Sequence, residues 1–268
     1  MVRHRKGRFS LLSLIRPAFL PLYFHFRSSL AQDFYAARGW HAFPSSHVSI
    51  NARENPPPSA PGVQVLRASD LPLLCEADEQ HLRSNLAQSK KPTVALLPDA
   101  ATIAWHHARE DFLAKEYYNR EPTIKGAIIG TEPGKRAWCI WTRVWQNPME
   151  EGGNTLHILR LVVEEGLSGQ RDDYTPATED GVARVQSSPA VSAVAALFTE
   201  ALRQCPEWKM EVVEFWNPNS VALAAARTLE DDAPVHEREK ASICSLRWYG
   251  EGDGRDVDWV CNEKYAWC

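Results

Sequence analysis

The chain has 268 residues, 44% apolar and 24% charged, with a formal net charge of −4. That balance is ordinary for a globular protein of one large domain or two small ones, and it argues against broad nucleic-acid binding. The six cysteines are scattered, no CxxC occurs and no Cys/His spacing suits zinc, so they read as reduced, mostly buried thiols of an intracellular protein.

Residues 1–30 read as a basic, disordered leader: Arg3, Arg5, Lys6, Arg8, Arg16 and Arg27 precede the first acid, Asp33. The apolar run Phe9 to Phe26 is broken by Arg16, Pro17 and Pro21, which disqualifies it as a membrane span. A cytoplasmic location is expected, with a mitochondrial transit peptide as the alternative for an Arg-rich, acid-free start. DFYAARGWHAFPSSHVSI, Asp33 to Ile50, then reads as a helix, a glycine stop and a strand, the closing elements of a domain over 31–54. NPPPSAP, Asn55 to Pro61, is a semi-rigid linker (55–62) that sets this piece apart from a second domain over 63–268.

In that second domain a strand at Val63 to Arg67 precedes a helix capped by Ser69, with Leu73, Leu74, Ala77 and Leu82 on one side. Val94 to Leu97 is a short strand. Asp99 is an N-cap, and Ala101, Trp105, Ala108 and Phe112 recur at i, i+4, i+7 and i+11, which predicts one buried helical face. KGAIIG (125–130) and RAWCIWTRVWQ (136–146) are strands joined by the turn TEPGK, and NTLHILRLVVEE (154–165) is a third. A polar loop covers 166–187. Ser188-Pro189 starts a helix carrying Val191, Val194, Ala195, Phe198, Leu202 and Cys205. KMEVVEFW (209–216) is a strand, Asn217-Pro218 opens a helix through Leu229, Ile243 to Tyr249 is a last strand, and the Trp-rich tail from Val257 packs across the domain as a strap. This order predicts an α/β (α+β) fold: a mixed, mostly antiparallel sheet flanked by helices.

Two constellations carry charge. His106 with Glu110, and His107 with Asp111, stand four apart and predict ion pairs on a helix surface; no third ligand supports a metal there. His157 and Arg160 differ in parity, which places them on opposite faces of their strand.

FYAARGWHAFPSSH (34–47), ATIAWHHARE (101–110), WTRVWQNP (141–148), NTLHILRLVVE (154–164), EFWNPNS (214–220) and DVDWVCNEKYAWC (256–268) are long, specific phrases. On them the chain resembles the fungal lysine N-acetyltransferase family of the GNAT superfamily, in which a GNAT domain is followed by a GNAT-like one. The resemblance implies an acetyl-CoA cofactor, a small amine substrate such as lysine, no metal, and neither nucleic acid nor membrane as partner. It implies that 31–54 is the end of the first domain and that Tyr35 protonates the departing thiolate; phenols in general, with an unperturbed pKa of about 10, are plausible acids toward a thiolate of about 8–9. A GNAT grips the cofactor's diphosphate on a glycine-rich Q/R-x-x-G-x-G/A turn, where free N–H groups converge on the anion. Residues 1–32 hold one glycine, Gly7, and 164–184 hold six acids against two bases with glycines at other spacings. The chain is therefore read as an N-terminally truncated member without its own acetyl-CoA site, the alternative being a non-catalytic GNAT-like binding or regulatory module. A lysine would need carboxylates near its amines and an arginine near its carboxylate. Trp105, His106, Arg109 and Glu164 are candidates by residue type, with Arg143 as a further arginine; no cofactor-binding residue is assigned.

Overall fold

The computed structural model describes residues 34–146, 152–169, 174–239, 242–250 and 254–267; the leader expected over 1–30, and 170–173 of the expected polar loop, lie outside them. In chain order the elements are β1 (His41–Ala42), β2 (Ser46–Asn51), β3 (Val63–Leu66), α1 (Leu71–Gln88), β4 (Thr93–Val94), α2 (Ala100–Tyr118), β5 (Gly126–Ile129), β6 (Ala137–Val144) and β7 (Thr155–Val163). There follow α3 (Glu165–Ser168), α4 (Glu179–Val185), α5 (Pro189–Trp208), β8 (Val212–Trp216), α6 (Ser220–Leu229), β9 (Val235–Glu237), β10 (Ser245–Leu246), β11 (Asp258–Trp259) and a 3₁₀ turn at Lys264–Ala266. The helix starts are locally encoded: Asp99 accepts from the Thr102 amide, Ser188 from Val191 ahead of Pro189, and Asn219 from Ala222. At α1 the N-cap is Asp70 and not Ser69, and its side chain instead accepts the Arg67 amide at 2.8 Å.

The main sheet has seven strands in the order β3-β5-β6-β7-β8-β2-β9. Every neighbouring pair is antiparallel except β7 and β8, which the α3–α5 crossover makes parallel. One face is covered by α5 and α6, with Val194, Leu197, Phe198 and Leu202 packed on Trp141, Ile158 and Phe215. The other carries α1 and the C-terminal segment, with Leu74, Leu82, Cys261 and Tyr265 on Trp138, Ile140 and Leu159. Buried on both faces, β6 and β7 are near-continuous apolar runs.

Several expectations change. β2 lies between β8 and β9, so residues 46–51 are an inner strand of the same sheet as the rest. The strand expected at 94–97 shrinks to β4, paired in parallel with β11 of the tail. That expected at 243–249 shrinks to β10, paired with β1. The expected loop 166–187 includes α3 and α4, and β9 went unforeseen because its three residues are all exposed and carry no alternation. Leu73 points outward, and α1 buries Leu71, Leu74, Cys75, Asp78 and Leu82.

The larger correction is α2. The stripe Ala101, Trp105, Ala108 and Phe112 is exposed, and the buried side carries Ile103, His106, His107, Glu110 and Ala114. The expected surface pairs do not form. Glu110 is fully buried and takes Lys125 Nζ at 2.6 Å and Arg143 Nη1 at 2.7 Å, and Asp111 also pairs with Lys125. His106 Nε2 lies 2.8 Å from the Tyr265 carbonyl and His107 Nε2 2.9 Å from that of Trp141. Two acids and two bases, buried except for the partly exposed Asp111, form a neutral cluster, which is what lets a polar helix face stay inside.

His157 and Arg160 also share a face. β6 pairs Trp141 with Ile158 but Ile140 with Arg160, so Leu159 is an extra residue in β7 and resets the alternation. Both side chains thus point to the face that holds α1 and the tail, where Arg160 binds Asp78 at 2.7 Å.

Candidate functional site

In open sheets, ligands sit beyond the carboxyl ends of parallel strands, where the chain order reverses. Here that place is the β7/β8 seam. Pairing stops at Ile158 with Phe215, while β7 runs on to Val163, so a crevice opens between the strands.

The chain's own tail fills it. Glu263 accepts the Leu161 amide at 2.9 Å and pairs with Arg160. Asn217, at the end of β8, accepts the Ser46 amide at 2.7 Å and donates to the Asn262 carbonyl. The buried Tyr265 hydroxyl donates to Leu96 O at 2.6 Å, and Trp267 packs on Trp216 with ring centroids 5.9 Å apart. Asp78 and Glu263 share the single guanidinium of Arg160, and burial pushes the Glu263 carboxyl up to about 7.

The amides past β7 are also engaged. Gly166 N donates to Gly134 O at 2.8 Å, Leu167 and Ser168 donate to Glu164 O, and Gly169 to Glu165 O. Gly166 is a packing glycine: a Cβ there would meet Gly134 O at 2.5 Å. At α4 the Thr178 hydroxyl accepts from Gly181 N, and at α5 Ser188 N donates to Val185 O while its side chain accepts from Val191. These groups have internal partners and do not converge on an anion.

Beside the strap lies a polar row that sequence reading missed. Glu214 of β8 accepts the Trp216 indole N–H at 2.6 Å and has His157 Nδ1 at 3.3 Å and His47 Nε2 at 3.7 Å. His236 stacks on His47 at 5.1 Å, Arg238 lies over the Trp216 ring at 3.8 Å and Lys264 at 4.6 Å. Burial lowers both His157 and His47. Burial alone would raise Glu214, but His157, His47 and the indole hold it down to about 2. At neutral pH the row is therefore a carboxylate between neutral imidazoles, with two cations across the Trp216 ring. Its signal was cross-strand: His157 faces Glu214 in register, and His47 faces Trp216.

An open cleft of about 760 Å³ is lined in part by the first residues of the tail, Val257 to Val260. Trp40, Phe43, Tyr174 and Trp259 give it an aromatic wall, and Lys91, Arg255 and Asp258 supply charge. Phe43 and Trp259 meet edge to face at 5.4 Å, and Lys91 Nζ lies 3.8 Å from Asp258.

None of the five residues singled out from the sequence lines this cleft. Tyr35 comes nearest, its ring 5.8 Å from that of Trp40. Trp105 and Arg109 stand on the outer side of α2, and His106 is buried, burial lowering its pKa to about 4 against the pull of the Tyr265 carbonyl. Glu164 takes Arg136 Nη2 at 2.7 Å and the Arg136 amide at 2.8 Å; burial opposes its ionisation, yet those bonds hold its carboxyl below the usual range. Arg143, the further arginine beside Arg109, is fully buried in the Glu110 cluster. Among the described residues no group of three or more His, Cys, Asp or Glu could hold a metal ion, and no helix is long and apolar enough to cross a membrane.

A mixed, mostly antiparallel sheet with one parallel seam and helices on both faces defines a GNAT-like domain. Over residues 47–268 the chain matches the family described as LYC1 GNAT-like C-terminal domain, and it belongs to that family. Tyr35 lies ahead of the matched span. No curated protein matches the chain.

Proposed function

We propose that the chain serves acetyl-CoA-dependent N-acetylation of a lysine-like amine, as a domain that faces the amine and leaves the cofactor's diphosphate to another site. The observation that carries this reading is the filled seam: the strap takes the β7 amide and the β8 terminus that a ligand there would use. The chemistry would be attack of a deprotonated amine on the thioester carbonyl, forming the amide and releasing a thiolate that takes up a proton. Tyr35 is the candidate donor of that proton, and the cleft beside it is the candidate amine site. Its aromatic wall suits an aliphatic stem, Asp258 an ammonium, and Lys91 or Arg255 a carboxylate.

Titration calorimetry tests this directly. Acetyl-CoA alone should give no heat, whereas lysine should bind weakly and lose that binding in Asp258→Ala and Trp259→Ala. Micromolar binding of acetyl-CoA, or lysine-dependent release of free thiol by the chain alone, would overturn the cofactor half. Lysine heat unchanged in both variants would overturn the cleft. The filled seam also favours a second reading, a non-catalytic module that binds a small amine or partner protein; it predicts lysine binding with no effect on thiol release when the chain is added to an active acetyltransferase.

A further inference from the structure

Helix α2 is built inside out, and that has a use beyond the site above. Its buried side is polar and saturated by Tyr265, Trp141, Lys125 and Arg143. Its outward side presents Ala101, Trp105, Ala108 and Phe112, with Phe112 65% and Trp105 48% exposed. A ridge of this kind marks a contact surface more often than an ordinary helix exterior.

The charges along the ridge say what fits it. Arg109 and Glu116 are exposed and make none of the ion pairs found among the described residues. They stand seven residues apart, two turns, on the same flank of the ridge, three before and four after Phe112. Such an arrangement is self-complementary. When a second α2 is laid antiparallel on the first with the two-fold axis at Phe112, each Arg109 comes level with Glu116 of the second copy, and the two Phe112 rings meet at the centre. A two-fold contact requires that residue i meet j while j meets i, and this spacing supplies it. Ala108, facing the second copy beside the central rings, leaves room for close approach.

We propose that α2 is an isologous dimer face, with Phe112 on the axis and Arg109 paired to Glu116 of the second copy. One helix pair lies at or below the roughly 1,200 Å² of standard interfaces, so the dimer is weak and concentration-dependent.

Sedimentation velocity over a concentration series tests it, with circular dichroism to check folding. The chain should pass from monomer to dimer in the micromolar range. Phe112→Asp should leave it monomeric throughout, and Arg109→Glu should weaken the dimer at least tenfold. The double variant Arg109→Glu with Glu116→Arg should recover most of that loss, which a merely destabilising substitution would not allow. A chain that is monomeric at every concentration, a dimer indifferent to Phe112→Asp, or a double variant no better than Arg109→Glu would each overturn the proposal.

Discussion

Two long helices of this domain obey opposite rules. α5 packs an apolar side made of Val191, Val194, Leu197, Phe198 and Leu202 onto the sheet, as its spacing predicts. α2 has an apolar stripe of similar spacing and turns it to the outside, because Glu110 finds Lys125 and Arg143 waiting inside. Periodicity finds a helix in both cases. It tells which side is buried only where no charged partners are buried opposite.

The contrast can be sharpened by substitution. The largest loss is expected in α2: Glu110→Ala would strip the buried Arg143 of its carboxylate, leave Lys125 with Asp111 alone and destabilise by about 4 kcal/mol, measured by urea unfolding. Leu197→Ala, deep in α5, should cost about 3 kcal/mol by creating a cavity. If Glu110→Ala proved neutral, the inside-out account of α2 would be wrong.

Acid should separate the helices as well, since α5 has no histidine. His106 has its pKa lowered by burial from the ordinary 6.5 to about 4, so the unfolded chain binds the proton more readily. Its contribution is full above pH 6.5 and is lost as pH falls toward 4, on the order of 2–3 kcal/mol. His107, lowered by burial too, acts in the same direction. His106→Gln should flatten the stability profile over that window, and an unchanged profile would count against a neutral, buried imidazole.

Smaller effects test the ends. Asp99→Ala and Ser188→Ala should each cost about 1 kcal/mol, because each removes the acceptor of one helix-start amide. Phe112→Ser should change monomer stability by no more than about 0.5 kcal/mol, the range for exposed positions.

These two helices also show what was legible in the sequence. The mixed sheet, the caps at Asp99 and Ser188 and the tail as a strap were readable, because each rests on local chemistry or a long apolar run. The orientation of α2 was not, since its partners are 14 and 33 residues away along the chain. The shared face of His157 and Arg160 was hidden by one extra residue, Leu159, which breaks the parity on which strand reading depends. The cleft draws on residues 36–44, 91, 174–176 and 254–260, which only the fold brings together. The Glu214 row is likewise a property of register.

The account depends most on the strap holding the seam between β7 and β8. Hydrogen exchange at the Leu161 amide, with and without acetyl-CoA, reads that contact directly. With Glu263 as its acceptor the amide should exchange at the slow rate of the core and be indifferent to acetyl-CoA, and Glu263→Ala should speed it markedly. Fast exchange in the unaltered chain, or an exchange rate there that acetyl-CoA changes, would contradict a seam occupied by the protein itself.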